Sequence, residues 1–184
     1  MERYWFLTWT TYGSWLPGDG RGFTSKTRDS SGETVRHNEF GTPMAMPNSP
    51  LENYCEAISK ADLVRLNIAH ADALLAQFQE TATFRTWRLL ALAIMVTHIH
   101  LGVAVVGDPD PEDILRDFKA YGSRRLNRTW GKPPSETWWT ASGSKRKLSS
   151  ETSVVGAIQY LKNQPNPLLI WTREEGIVFR RVDD

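Results

Sequence analysis

The sequence predicts an α+β fold in which an antiparallel sheet of the split βαβ kind carries helices on one face. Three observations lead there. The chain opens on an aromatic, β-branched stretch, RYWFLTWTTY (residues 3–12), that suits a strand. A long apolar run at 84–108 is rich in β-branched residues and exceeds the usual five or six residues of a strand, so it reads as two strands. Two well-capped helical segments, 110–130 and 149–165, alternate with short extended stretches.

Each element follows from its own residues. After the opening strand, residues 17–50 are dense in Gly, Pro, Ser and Asp, which predicts a long loop insertion within one domain spanning 1–184. In 59–80, Leu63, Leu66, Ala69, Ala73, Leu74 and Phe78 recur near the helical period, and Ser59 with Asp62 resembles a capping box. The apolar run divides into two buried strands with a tight connection near Met95 to Thr97. The segment DPEDILRDFKAYGSRRLNRTW starts with Asp110 as N-cap, Pro111 in the first turn and two further acids, which suit the positive end of the helix dipole. Residues 135–148 read as a strand or turn with a basic tip, 149–165 as a helix closed by Pro165, and 168–182 as a last extended segment. Strand, helix, two strands, helix, strand is the order a ferredoxin-like sheet requires.

Composition narrows the function classes. The 184 residues, 40% hydrophobic and 23% charged, suit a globular domain with a real core. The lone Cys55 excludes an intrachain disulfide framework and fits a reducing compartment. The N-terminal stretch lacks a basic n-region, and the apolar run LLALAIMV is too short to span a bilayer, so a cytoplasmic protein without membrane segments is expected. Net charge is only +1, yet residues 116–147 hold nine cations: Arg116, Lys119, Arg124, Arg125, Arg128, Lys132, Lys145, Arg146 and Lys147. Two acids, Asp117 and Glu136, leave that segment at +7, a local field suited to an anionic polymer or, more blandly, a solvated helix face and a charged turn.

The chemistry centres on MVTHIHLGVAV (95–105). In a strand His98 and His100 point to one side, so they are either two core histidines or half of a metal site. A third histidine at the same spacing is excluded, because that position is Gly102. The last helix offers Tyr160 and Gln164 at i and i+4. A glutamine oxygen can join two imidazoles on Mg²⁺ or Mn²⁺, leaving positions open for phosphate oxygens with Tyr160 beside them. Read from its helix alone, Tyr160 is a packed amphipathic tyrosine. Tyr121 is a rival nucleophile but has no liganding residue one turn away. His37 and His70 receive no role.

These residues resemble the single-tyrosine HUH transposases of the insertion-sequence-200/605 family and the REP-associated tyrosine transposases. The resemblance rests on His98-Ile99-His100-Leu101 and on Tyr160-Leu161-Lys162-Asn163-Gln164. It rests also on the intervening FKAYGSRRLNR and on WWTASGSKRKL, so that four motifs in order cover 86–165. It implies an HUH endonuclease architecture, a divalent metal (Mg²⁺ or Mn²⁺) held by His98, His100 and Gln164, and Tyr160 as nucleophile. Attack on single-stranded DNA, with hairpin-containing ends as the expected partner, would leave a 5′-phosphotyrosine bond and a free 3′-OH. Such enzymes often act as homodimers. Lys119, Arg124, Arg125, Arg128, Lys145, Arg146 and Lys147 are the expected DNA-contacting cations, and Trp130, Trp138 and Trp139 are candidates to stack bases. Thr97 departs from the pattern, which usually has Asn or Asp there. The competing classes are a non-catalytic ferredoxin-like nucleic-acid binder and a phosphodiesterase of small nucleotides, the latter leaving Tyr160 without purpose.

Overall fold

The computed structural model describes residues 1–14, 26–28, 34–36, 48–57 and 61–182. These fall into two units, Gly13–Leu63 and the remainder. Within the first, where a loop is expected over 17–50, strands β2 (Lys26–Arg28) and β3 (Thr34–Arg36) pair antiparallel, and α1 covers Ser49–Ala57. The expected start of the next helix at Ser59 lies outside the described residues.

The second unit holds the sheet. Strands β1 (Glu2–Thr10), β4 (Arg88–Ile94), β5 (His98–Val106), β6 (Ser144–Leu148), β7 (Leu169–Thr172) and β8 (Gly176–Arg180) lie in the order β6-β1-β5-β4-β7-β8, every pair antiparallel. The first four strands reproduce the split βαβ arrangement, with helix α2 (Ile68–Phe84) between β1 and β4 and α3 (Pro111–Trp130) between β5 and β6. The turn joining β4 to β5 falls at residues 95–97, where the apolar run was expected to break. The tail contributes a hairpin, β7 and β8, whose turn ends on Gly176 at φ 74°.

Alternation along the strands divides the sheet into two faces. Trp5, Leu7 and Trp9 of β1 share one face with Ile99, Leu101, Val103 and Val105 of β5, and both crossover helices pack there through Leu74, Phe78, Ile114, Leu115, Phe118 and Leu126. The other face carries the small residues Ala91 and Ala93, and on it α4 (Glu151–Lys162) seats Leu161 and Ile158 beside Phe6 and Ile170. The expectation that the helices share one face therefore holds for α2 and α3 and not for α4. Small side chains at 91 and 93 let that helix approach, and its side of the sheet is the one the histidines face.

Helix α2 also starts later than the sequence pattern suggests. Asn67, not Ser59, caps it: the Asn67 side chain accepts from the His70 N–H (2.9 Å) and His70 Nδ1 accepts from the Asn67 N–H (3.2 Å). Residues 62–67 are not helical, and the N–H groups of Leu66 and Val64 donate to the carbonyls of Val96 and Tyr12. Helix α3 begins as expected, Asp110 accepting from the Glu112 N–H at 2.9 Å with Pro111 in the first turn. Among the described residues no helix is long and apolar enough to cross a membrane.

Candidate active site

His98 and His100 stand on β5 with their rings 5.0 Å apart, on the face opposite α2 and α3. The antiparallel register sets Thr8 directly across from His100 and Thr10 across from His98. Thr8 Oγ1 lies 2.8 Å from His100 Nδ1. Phe6 sits opposite Gly102, and its ring stacks on His100 at 5.6 Å with 17° between planes. His100 is only 6% exposed, and burial, helped by the neighbouring His98, lowers its pKa to about 4. It is a neutral imidazole across the physiological range.

Tyr160 closes this arrangement from α4. Its ring meets His100 edge-on at 5.5 Å and Phe6 edge-on at 5.9 Å, yet the residue stays 53% exposed. The helix is registered by Ser150, whose side chain accepts from the Ser153 N–H, and by Leu161, fully buried against Ala91 and Ala93. One residue beyond Tyr160 the chain is anchored, and Tyr160 itself is left at the rim.

The helix ends at Lys162 with Asn163 as C-cap, so Gln164 lies just past the last turn of the helix that carries Tyr160. Its Nε2 donates to the Tyr160 carbonyl at 3.2 Å. Pro165, which lacks an N–H and disfavours helix at the residue before it, ends the helix early.

A divalent cation is the group the resemblance implies, and the donor chemistry fits it. In the tautomer with its proton on Nδ1, His100 would donate to Thr8 Oγ1 and keep the Nε2 lone pair for a ligand bond, the usual way a metal-binding histidine is oriented. Burial keeps that ring unprotonated. Among the described residues no three or more His, Cys, Asp and Glu side chains cluster so as to hold a metal.

The basic segment is dispersed rather than gathered over this site. Helix α3 lies on the opposite face of the sheet, and Lys119 is committed there: its Nζ donates to the carbonyls of Thr140 (2.6 Å), Ala141 (3.1 Å) and Ser142 (3.1 Å). Burial lowers its pKa to about 8, with Glu112 opposing and Lys145 adding to the shift. Lys119 therefore clamps that loop, its ammonium engaged by three carbonyls. Lys145 pairs with Glu112, and the register sets Lys145 and Lys147 across from Leu7 and Trp5, on the α3 side. Arg146, across from Phe6, is the one cation of that strand on the histidine face. Arg124 lies over the Tyr121 ring at 4.9 Å and Arg128 is exposed, while Arg125 Nε is buried without a hydrogen-bond partner among the described residues. Trp138 and Trp139 are 6% and 5% exposed and belong to the core, which leaves Trp130, 42% exposed, able to stack a base.

Thr8 and Phe6 are the site residues that sequence reading missed. Their roles depend on strand register, and nothing in RYWFLTWTTY alone marks them.

No protein-family model matches the sequence. No curated protein matches it. Among solved structures, the chain is similar to a proposed transposase from Deinococcus radiodurans R1, with 17% identity and a TM-score of 0.49, covering 90% of this chain and 93% of that one. It is also similar to a REP-associated tyrosine transposase bound to a REP hairpin, with 10% identity and a TM-score of 0.48 over 87% of this chain. The match spans 64% of that transposase chain.

Proposed function

We propose that this protein nicks and rejoins single-stranded DNA, as a transposase does, with Tyr160 as the nucleophile. One observation carries the reading: an exposed phenol at the rim of a sheet, its ring against a buried neutral histidine that has a second histidine beside it. A core tyrosine needs no such neighbours, and a small-nucleotide phosphodiesterase needs no tyrosine. A divalent cation, Mg²⁺ or Mn²⁺, held by His98, His100 and the Gln164 amide would supply Lewis-acid polarisation of the scissile phosphate.

In this reading Tyr160 Oη bonds to phosphorus as the P–O3′ bond breaks. The phenol proton passes to solvent, which the residue's exposure permits, and the departing 3′ oxygen takes one up. The 5′-phosphotyrosine conserves the phosphodiester energy, so rejoining to another 3′-OH needs no nucleotide cofactor. Phe6 and Leu161 fix the ring and the helix turn that carry the nucleophile, so orientation is set before DNA arrives. Hairpin-ended DNA is the proposed substrate, and a homodimer the proposed working form.

The test is incubation of hairpin-bearing single-stranded DNA with protein and Mn²⁺, followed by a denaturing gel. A covalent adduct in the wild type that disappears in Tyr160→Phe and with EDTA supports the reading. No adduct with either metal, or an undiminished adduct in Tyr160→Phe, overturns it.

A further inference from the structure

At the end of the sheet where β1 finishes and β5 begins, three rings form a cluster that the reaction does not use. His70 meets Trp130 at 4.5 Å and Trp138 at 5.3 Å, both edge-on. Each ring is held. His70 Nδ1 accepts from the Asn67 N–H in the cap of α2, and burial lowers its pKa, which favours the neutral ring the cap requires. Trp138 Nε1 donates to Asn127 Oδ1 at 2.8 Å. Trp130, the last residue of α3, is backed by His70 while 42% of it faces solvent. Gly131 then turns the chain away at φ 78°.

The charge around Trp130 has one sign. Arg128 and Lys132, two residues to either side, are both exposed, and neither has an ion pair among the described residues. Arg124, one helical turn before Arg128, is exposed as well. The only acid between residues 118 and 147 is Glu136. An aromatic face flanked by cations is how single-stranded nucleic acid is held: bases stack on the ring while phosphates track the charges. Such a platform is sequence-tolerant, because every base has a π-face.

We infer that Trp130, backed by His70 and flanked by Arg128 and Lys132, is a stacking platform for single-stranded DNA outside the cleavage site. The inference rests on the single-stranded DNA reading above and adds where the flanking strand lies. The platform is at the histidine end of the sheet: Trp138 O accepts from the Tyr12 N–H (2.9 Å), and Thr97 O, one residue before His98, accepts from the Thr11 N–H (2.8 Å). DNA leaving Tyr160 can thus reach Trp130 by passing over that end. The cations there, not those of β6, carry its backbone.

The experiment measures binding of a fluorescent oligothymidylate and of a duplex of equal length by anisotropy. The full chain carries Tyr160→Phe and EDTA is present, so cleavage does not intervene. Trp130→Ala is expected to weaken single-strand binding by roughly tenfold with little change for the duplex, and Trp130→Phe to keep most of the affinity. Arg128→Gln with Lys132→Gln is expected to flatten the slope of log affinity against log salt by about 0.7 per cation removed. The proposal is overturned if Trp130→Ala binds like its parent, if Trp130→Phe falls as far as Trp130→Ala, or if the parent does not bind single strands. Failure of the nicking reading is seen separately, in the adduct gel, and leaves these affinities to be read by themselves.

Discussion

Thr8 Oγ1 and His100 Nδ1 are 2.8 Å apart across the pairing of β1 with β5, and this contact fixes which nitrogen of a buried imidazole is left to act. A neutral histidine carries one proton on its two nitrogens, and a hydroxyl at Nδ1 can accept from that nitrogen or donate to it, so the contact occupies Nδ1 and leaves Nε2 as the nitrogen presented to a ligand. Removing the partner strands a buried polar atom and frees the ring to turn.

Thr8→Val keeps the shape of the side chain and deletes the hydroxyl. It should destabilise the fold by about 1–3 kcal/mol in urea denaturation, the usual cost of an unsatisfied buried group. Mn²⁺ affinity, measured by calorimetry, should fall roughly tenfold or more, and Thr8→Ser should restore most of both. An unchanged Mn²⁺ affinity in Thr8→Val would show that the contact serves packing only.

Acid should weaken the fold through His100. Its folded pKa is lowered to about 4 from an ordinary value of 6.5, so between those values the unfolded chain binds more protons. The stabilisation is complete above about pH 6.5 and is lost as pH falls towards 4. Its size is of order 3 kcal/mol, from 1.36 kcal/mol per pH unit over that interval. His70, lowered by burial, acts in the same direction. Urea midpoints in EDTA should fall from pH 7 to pH 4.5, and His100→Asn should flatten that dependence; an equally steep fall in the variant would place the effect elsewhere.

Lys119 is predicted to matter to stability and to leave DNA affinity nearly untouched, against its expected place among the DNA contacts. Its ammonium gathers three carbonyls of the segment that carries Thr140, and Thr140 Oγ1 in turn meets Thr10 Oγ1 at 3.0 Å, across from His98. The same segment leaves no room at Gly143, where a Cβ would come within 2.7 Å of the Thr8 carbonyl. Lys119→Met should cost about 1–3 kcal/mol by removing the donor that gathers those carbonyls, with protease cleavage appearing near residue 141. Loss of DNA affinity without loss of stability would return Lys119 to the DNA-binding set.

What the sequence made legible was local. Asp110 and Pro111 mark the start of α3, the break near Met95 divides the apolar run, and His98 with His100 share a face, because capping and strand alternation act over a few residues. What it did not reveal depends on pairing. The same segment that reads as one basic patch is parted by the sheet: Arg146 falls on the histidine face, while Lys145, Lys147 and α3 fall on the other. A one-residue change of register would exchange those faces, and no single segment encodes the register. The start of α2 was missed for a related reason. Ser59 and Asp62 look like a cap, but Asn67 with His70 makes the better one, and the residues before it are drawn into backbone bonds with Tyr12 and Val96.

Gln164 provides the sharpest separation between stability and metal binding. Its side-chain bond, from Nε2 to the Tyr160 carbonyl at 3.2 Å, lies at a partly exposed helix end and contributes little to the fold. Gln164→Ala should therefore change the urea midpoint by less than about 0.5 kcal/mol, the range typical of surface positions. If the amide oxygen joins His98 and His100 on the cation, the same variant should lose Mn²⁺ affinity, while Gln164→Glu should keep or raise it because a carboxylate is a harder, charged donor. Calorimetric titration of Mn²⁺ into the three proteins decides the matter. Equal affinities would leave the two imidazoles as the only protein donors among these three residues, and would make Gln164 a helix-end residue that merely precedes Pro165.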